Sequence, residues 1–233
     1  MTEAQWLASN DPEAMLDFLS GKASDRKLRL FLCACARRLW RFIRLEPCRQ
    51  AVRVAEKYAD GQAGEQEREA AYLAARELAW RIPDDSNAPL AEVRSDWSTA
   101  VAVWAAGPSD SFVVSHPSAR EKAAIFFDVF FITTAKVVWE PAARVTENNT
   151  QASLLRDLFD PFHPVPLDPH WLTPSVVSLA QGIYDQRAFD QLPQLAQALE
   201  EAGCANHAIH AHCRGPGPHV RGCWVIDLIL GKR

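Results

Sequence analysis

Glycine is scarce in this chain, with ten in 233 residues. So few argue against the many tight hairpins of a β-rich protein. No alternating apolar–polar run is long enough to require a sheet. The single candidate strand, SFVVSH at 111–116, would be short and isolated. An excess of basic charge is also missing. The net charge of −4 excludes a general nucleic-acid coat. The first twenty residues carry Glu3, Asp11, Glu13 and Asp17 and lack a basic stretch followed by an apolar one, so they do not read as a signal peptide. The most apolar run, AAIFFDVFFITTAKVVW at 123–139, is interrupted by Asp128 and Lys136. It falls short of the roughly 20 apolar residues of a membrane span. Six cysteines without an export signal read as thiols or ligands rather than disulfides, and the chain reads as cytoplasmic. No CxxC pair is present to announce a zinc site.

What is present is helix punctuation. Asp11-Pro12 and Thr173-Pro174 each set a capping side chain before a proline at the first helical position. Apolar residues follow at helical spacing: Met15, Leu16 and Leu19 in the first case, Val176, Val177, Ala180 and Ile183 in the second. The pattern predicts helices near 2–8, 12–20, 24–44, 47–60, 63–81, 89–106, 117–144, 150–159, 174–186, 190–202, 206–213 and 219–230. The fold class is all-α, a multi-helix bundle or irregular helical array ending in a helical hairpin turned at RGPGP. Helix 117–144 is apolar around nearly its whole circumference, and Asp128 within it needs a partner. The organisation reads as an N-terminal body over 1–145, a connector over 146–172 and a C-terminal helical unit over 173–233, or as one continuous domain.

Two features carry chemistry. The first is the stretch 22–53, with ten Lys and Arg against Asp25 and Glu46, a local charge of +8 that leaves −12 for the remainder. Within it, residues 24–44 form an amphipathic helix with Cys33 and Cys35 toward its apolar arc. Arg37, Arg38, Arg41 and Arg44 lie on its basic face. That face could pair with acids of the next two helices (Glu56, Asp60, Glu65, Glu67, Glu69), meet an acidic partner protein, or hold nucleic acid. No aromatic residue interleaves it, which disfavours single-stranded nucleic acid, and a membrane surface is the weakest reading.

The second feature is GCANHAIHAHCRGPGPHVRGCW at 203–224, with three cysteines and four histidines. One tetrahedral zinc set is Cys204 and His207 with His219 and Cys223; another is His212 and Cys213 with His219 and Cys223. A thiol catalyst is a third reading, since His219, Cys223 and Asp227 are spaced i, i+4, i+8 on one helix. On a straight helix His219 and Asp227 would stand about 12 Å apart, however, and no coherent catalytic set results. The plainest reading makes Cys204, Cys213, Cys223, Trp224 and their aliphatic neighbours core, with the histidines toward solvent. His163 and His170 read as loop residues.

The segments GKASDRKLRLFLCAC and HCRGPGPHVRGCW resemble those of a paralogue-rich family of uncharacterised bacterial proteins. The resemblance covers a little under half the chain and implies a fold without a reaction. In the family pattern a second cysteine follows CAC, where this chain has Ala36, which argues against a metal role for Cys33 and Cys35. The pattern does not include His207 and His210, so the resemblance points to His212, Cys213, His219 and Cys223 as the ligand set. LPQLAQALEEAG resembles short helical modules that accompany repeat proteins, and by that analogy favours an interaction role. The sequence therefore favours a non-enzymatic cytoplasmic module that contacts an acidic partner through the basic helix. The competing reading is a zinc-binding protein with a C-terminal Cys/His site.

Overall fold

The computed structural model describes residues 1–79, 102–103, 105–108, 141–162 and 165–232. Every regular element among them is helical. In chain order these are α1 (Glu3–Ala8), α2 (Pro12–Leu19), α3 (Asp25–Arg38), α4 (Glu46–Ala59), α5 (Glu65–Ala79), α6 (Pro141–Leu158), α7 (Pro174–Gln186), α8 (Leu192–Glu201), α9 (His207–Arg214) and α10 (Trp224–Leu230). Short 3-10 turns occupy Pro169–Trp171 and Phe189–Gln191. The protein is all-α, as its glycine-poor, cap-rich sequence requires. The expected strand 111–116, most of helices 89–106 and 117–144, Asp128 and His163 lie outside the described residues. No helix among the described residues is long and apolar enough to cross a membrane.

The caps are made as the sequence indicates. Asp11 accepts from the backbone N–H of Glu13 and Ala14, and Thr173 from that of Val176. Each satisfies donors that the first helical turn leaves orphaned. The chain divides into two compact units, Met1–Ala152 and Ser153–Arg233, with the boundary inside α6.

In the first unit α4 packs against both α3 and α5. Phe31, Leu32, Cys33 and Cys35 are buried, as are Cys48, Ala51, Val52 and Ala55 of α4. Helix α3 ends at Arg38, six residues before the expected end, because Leu39 leaves the helix and residues 40–43 turn back on it. The turn lets Ile43 enter the core and brings Pro47 to the start of α4. Two arginines are fully buried here. Arg29 donates through Nη1 to the carbonyls of Ala105 (3.1 Å) and Gly107 (2.8 Å), and Arg68 donates to the carbonyl between them, that of Ala106.

In the second unit α8 packs on α7 and α9, and α10 on α7 and α9. Their shared core holds Val176, Ile183, Tyr184, Leu195, Leu199, Ile209, Val225, Ile226 and Ile229, together with Cys204, Cys213 and Cys223. Gly231, at φ 65°, ends α10 in the left-handed conformation that glycine adopts without strain. Helix α10 begins at Trp224 and not near residue 219. The glycines and prolines of 215–218 cannot propagate a helix, and the backbone N–H of Val220 is taken by Asp157. His219, Cys223 and Asp227 therefore do not share one helical stripe, and the thiol-triad arrangement is not formed.

Candidate metal centre

The last turn of α6 reads LLRDL. Leu154, Leu155 and Leu158 are buried and carry Asp157 inward with them, so that its carboxylate is 3% exposed. A carboxylate at that depth must be hydrogen-bonded or paired. Its Oδ2 accepts from the backbone N–H of Val220 at 2.9 Å, and its Oδ1 lies 2.6 Å from His219 Nδ1 and 3.1 Å from His212 Nε2. His212 sits in the last turn of α9, and its Nε2 is also 3.1 Å from Cys223 Sγ. Cys223 is the N-cap residue of α10 and is completely buried. The two imidazoles stand edge to face with centroids 4.9 Å apart.

Asp157, His212, His219 and Cys223 thus each present one donor atom, and all four atoms lie within 4.8 Å of one another. Three of these residues, His212, His219 and Cys223, belong to the set expected from the sequence. Cys213 is not a member of this cluster; Asp157 stands in the fourth place. Successive residues on a helix point about 100° apart, so with His212 turned to the cluster Cys213 points into the apolar core. Burial pushes its thiol up to about 12. Cys204 lies in the same core and His207 is exposed, so the other tetrahedral set is not assembled either. His210 bonds the carbonyl of Cys204 at 2.7 Å, and His170 is exposed.

Asp157 was missed in the sequence because 55 residues separate it from His212. The available signal was local: an acid three residues after Leu154 lies on the helical face that Leu154 buries.

The electrostatics follow from burial and pairing. Burial alone would push the Asp157 carboxyl up, but the hydrogen bonds from His212 and His219 outweigh it and hold the group below its ordinary value. Burial would likewise lower His219, yet Asp157 beside it raises that imidazole above its ordinary value. Cys223 is raised well above an ordinary thiol, first by burial and then by the charge of Asp157. A nucleophilic thiolate is therefore not what this environment favours without a cation.

The loop 215–218 closes the approach. At Gly217, with φ 73°, an added Cβ would stand 3.1 Å from His219 N and 3.3 Å from its Cδ2. Glycine there permits the imidazole to lie against the turn. Beside it a cavity of about 300 Å³ is lined by Ser153, Arg156, Asp157, His212, His219 and the 215–218 turn.

Much of the basic face pairs internally, with Glu56 and Asp60 among the acids named from the sequence. Arg37 forks onto Glu56 (3.0 and 2.7 Å), and Arg38 reaches both oxygens of Glu147 (2.7 and 2.8 Å). Arg26 pairs with Asp60, while Glu65 is taken by Arg68. Arg41 and Arg44 are exposed beyond the end of α3, with Arg41 over the Phe42 ring. An aromatic does enter this face: Trp40 lies within 5.6 Å of the guanidinium centres of Arg37, Arg49 and Arg53. The chain matches no protein-family model, no curated protein and no solved structure.

Proposed function

We propose that this is a metal-binding protein whose C-terminal unit holds one zinc ion through Asp157, His212, His219 and Cys223. The observation that carries this is the convergence of four donor atoms within 4.8 Å in a buried setting. Two neutral imidazoles, a thiolate and a carboxylate form a set suited to zinc. The two anions balance a divalent charge, which makes the burial of Asp157 and Cys223 favourable. In a tetrahedral zinc site, bond lengths of about 2.0–2.3 Å place neighbouring donors about 3.3–3.6 Å apart. Three of the six donor pairs, at 2.6–3.1 Å, are hydrogen-bonded and must open by a few tenths of an ångström, while all six lie within 4.8 Å. Plasma mass spectrometry on tag-free protein should find close to one zinc per chain, retained through mild dialysis. A chain without metal after zinc loading would end this reading.

One hydrogen bond opposes the metal. Trp224 Nε1–H donates to His212 Nδ1 at 2.9 Å, so the proton of neutral His212 resides on Nε2, where it faces Asp157 and Cys223. Ligation through Nε2 moves that proton to Nδ1, and the indole must then release it. Trp224→Phe removes the competing bond and should tighten zinc about fivefold, from the roughly 1 kcal/mol of one hydrogen bond. Competition against a chromophoric chelator measures this. A loss of affinity would instead make Trp224 a support for the bound state.

A second reading, an interaction with an acidic partner, is supported by the exposure of Arg41 and Arg44. Arg37 and Arg38 are engaged by Glu56 and Glu147, so the basic contact rests on the turn after α3. Replacing Arg41 and Arg44 together by Glu should lower the salt needed to elute the protein from immobilised polyglutamate, with its zinc content unchanged. Elution at the native salt would dismiss the reading. Six buried cysteines that form no disulfide support a reducing, cytoplasmic setting for either role.

A further inference from the structure

We propose that the metal is open on one side and that, together with Arg156, it binds a small carboxylate in the cavity beside it; this rests on the zinc reading above. Of the four donor residues, Asp157, His212 and His219 line the cavity, whereas Cys223 does not and is completely buried. An ion among the four donor atoms therefore has sulfur behind it and the cavity in front. Four protein ligands fill a tetrahedral shell, so a further ligand enters from the cavity side by expanding the zinc to five-coordination.

Charge selects the class of that ligand. Zinc with the thiolate and the carboxylate sums to zero. Arg156 is the one other charged side chain among the lining residues, and it brings positive charge to the cavity wall. Its guanidinium is anchored toward the site by donation to Ser153 Oγ at 3.4 Å. The remaining walls are Ala211, Gly215, Pro216, Gly217 and Pro218, which offer no side-chain charge to compete. A planar guanidinium with a Lewis-acidic neighbour matches a monoanionic carboxylate, one oxygen on the metal and one on Arg156. A volume of about 300 Å³ stands at the small end of ligand cavities, so the guest has few atoms.

The test uses the full chain loaded with cobalt(II), whose visible ligand-field spectrum reports added ligands. Acetate is titrated against perchlorate at constant ionic strength. A saturable spectral change with acetate alone is expected, and Arg156→Gln, with its cobalt spectrum intact, should weaken acetate about tenfold. A native cobalt spectrum that acetate does not alter overturns the open-site inference and leaves the metal reading standing. Failure to bind cobalt or zinc at all defeats the metal reading itself. Equal acetate binding by Arg156→Gln removes Arg156 from recognition and overturns the carboxylate assignment.

Discussion

Zinc added to the metal-stripped protein should raise its melting temperature by about 10 °C, and Cys223→Ala should abolish the gain. A ligand that binds only the folded chain stabilises it by about 4 kcal/mol at a thousandfold excess over its dissociation constant. For a chain of this size each kcal/mol moves the melting temperature by about 2–4 °C. Removing the Cys223 sulfur deletes a donor from a set whose four atoms lie within 4.8 Å. Cys213→Ala deletes an equally buried sulfur one turn-position away from His212, in the apolar core. It should lower the metal-free melting temperature modestly, through the small void it leaves, and keep the full response to zinc. Asp157→Asn should lose the response, because the amide supplies no charge to balance the ion. It also weakens the carboxylate's pairing with His219, so the metal-free protein should fall as well. The comparison is read by differential scanning fluorimetry with and without zinc. A response lost in Cys213→Ala and kept in Asp157→Asn would show that the chelating set is the one expected from the sequence, with Cys213 in the fourth place.

Arg29→Ala should destabilise the protein by about 3 kcal/mol, with zinc affinity unchanged. Arg29 is 1% exposed and donates to two carbonyls, Ala105 and Gly107. Arg68 serves the carbonyl between them, and both guanidinium groups lie within 6 Å of the Tyr58 ring centre. The successive carbonyls of Ala105, Ala106 and Gly107, where the helical residues end, are thereby capped by two cations, the sign of charge that a helix C-terminus favours. Each buried acceptor left without a donor costs about 1–3 kcal/mol, and the vacated stem adds a cavity term. Part of this is offset because burial itself opposes the charge, holding Arg29 below its ordinary value. Arg29→Met restores much of the volume and none of the hydrogen bonds, so it should recover only the packing share. Urea denaturation measures both. A change within about 0.5 kcal/mol for Arg29→Ala would mean the carbonyls find other donors.

Several features were legible because they depend on neighbours in the chain. Asp11-Pro12 and Thr173-Pro174 announced α2 and α7, since a cap and a fixed φ act within one turn. The amphipathic arc of α3 placed Cys33 and Cys35 in the core, where they lie. The end of α3 was not legible. Arg41 and Arg44 continue its basic pattern, and only the packing of α4 on α3 decides that the chain turns back after Arg38. Glu147, which holds Arg38, stands 109 residues away, and no local pattern joins them.

The sequence by itself determined an all-α protein, its helix caps, the burial of Cys33 and Cys35, and three residues of the candidate metal cluster. The fold class, the caps and the buried cysteines follow from propensity and periodicity, which act over one or two turns of chain, whereas the cluster residues came from the resemblance. Tertiary structure alone decided that Asp157 replaces Cys213 beside His212, that Glu147 takes Arg38, and that a cavity opens next to the cluster. Each of these joins groups far apart in sequence. Spacing along the chain says nothing of which distant side chains meet once the helices pack, and a carboxylate in a leucine-rich helix finds its partners only there.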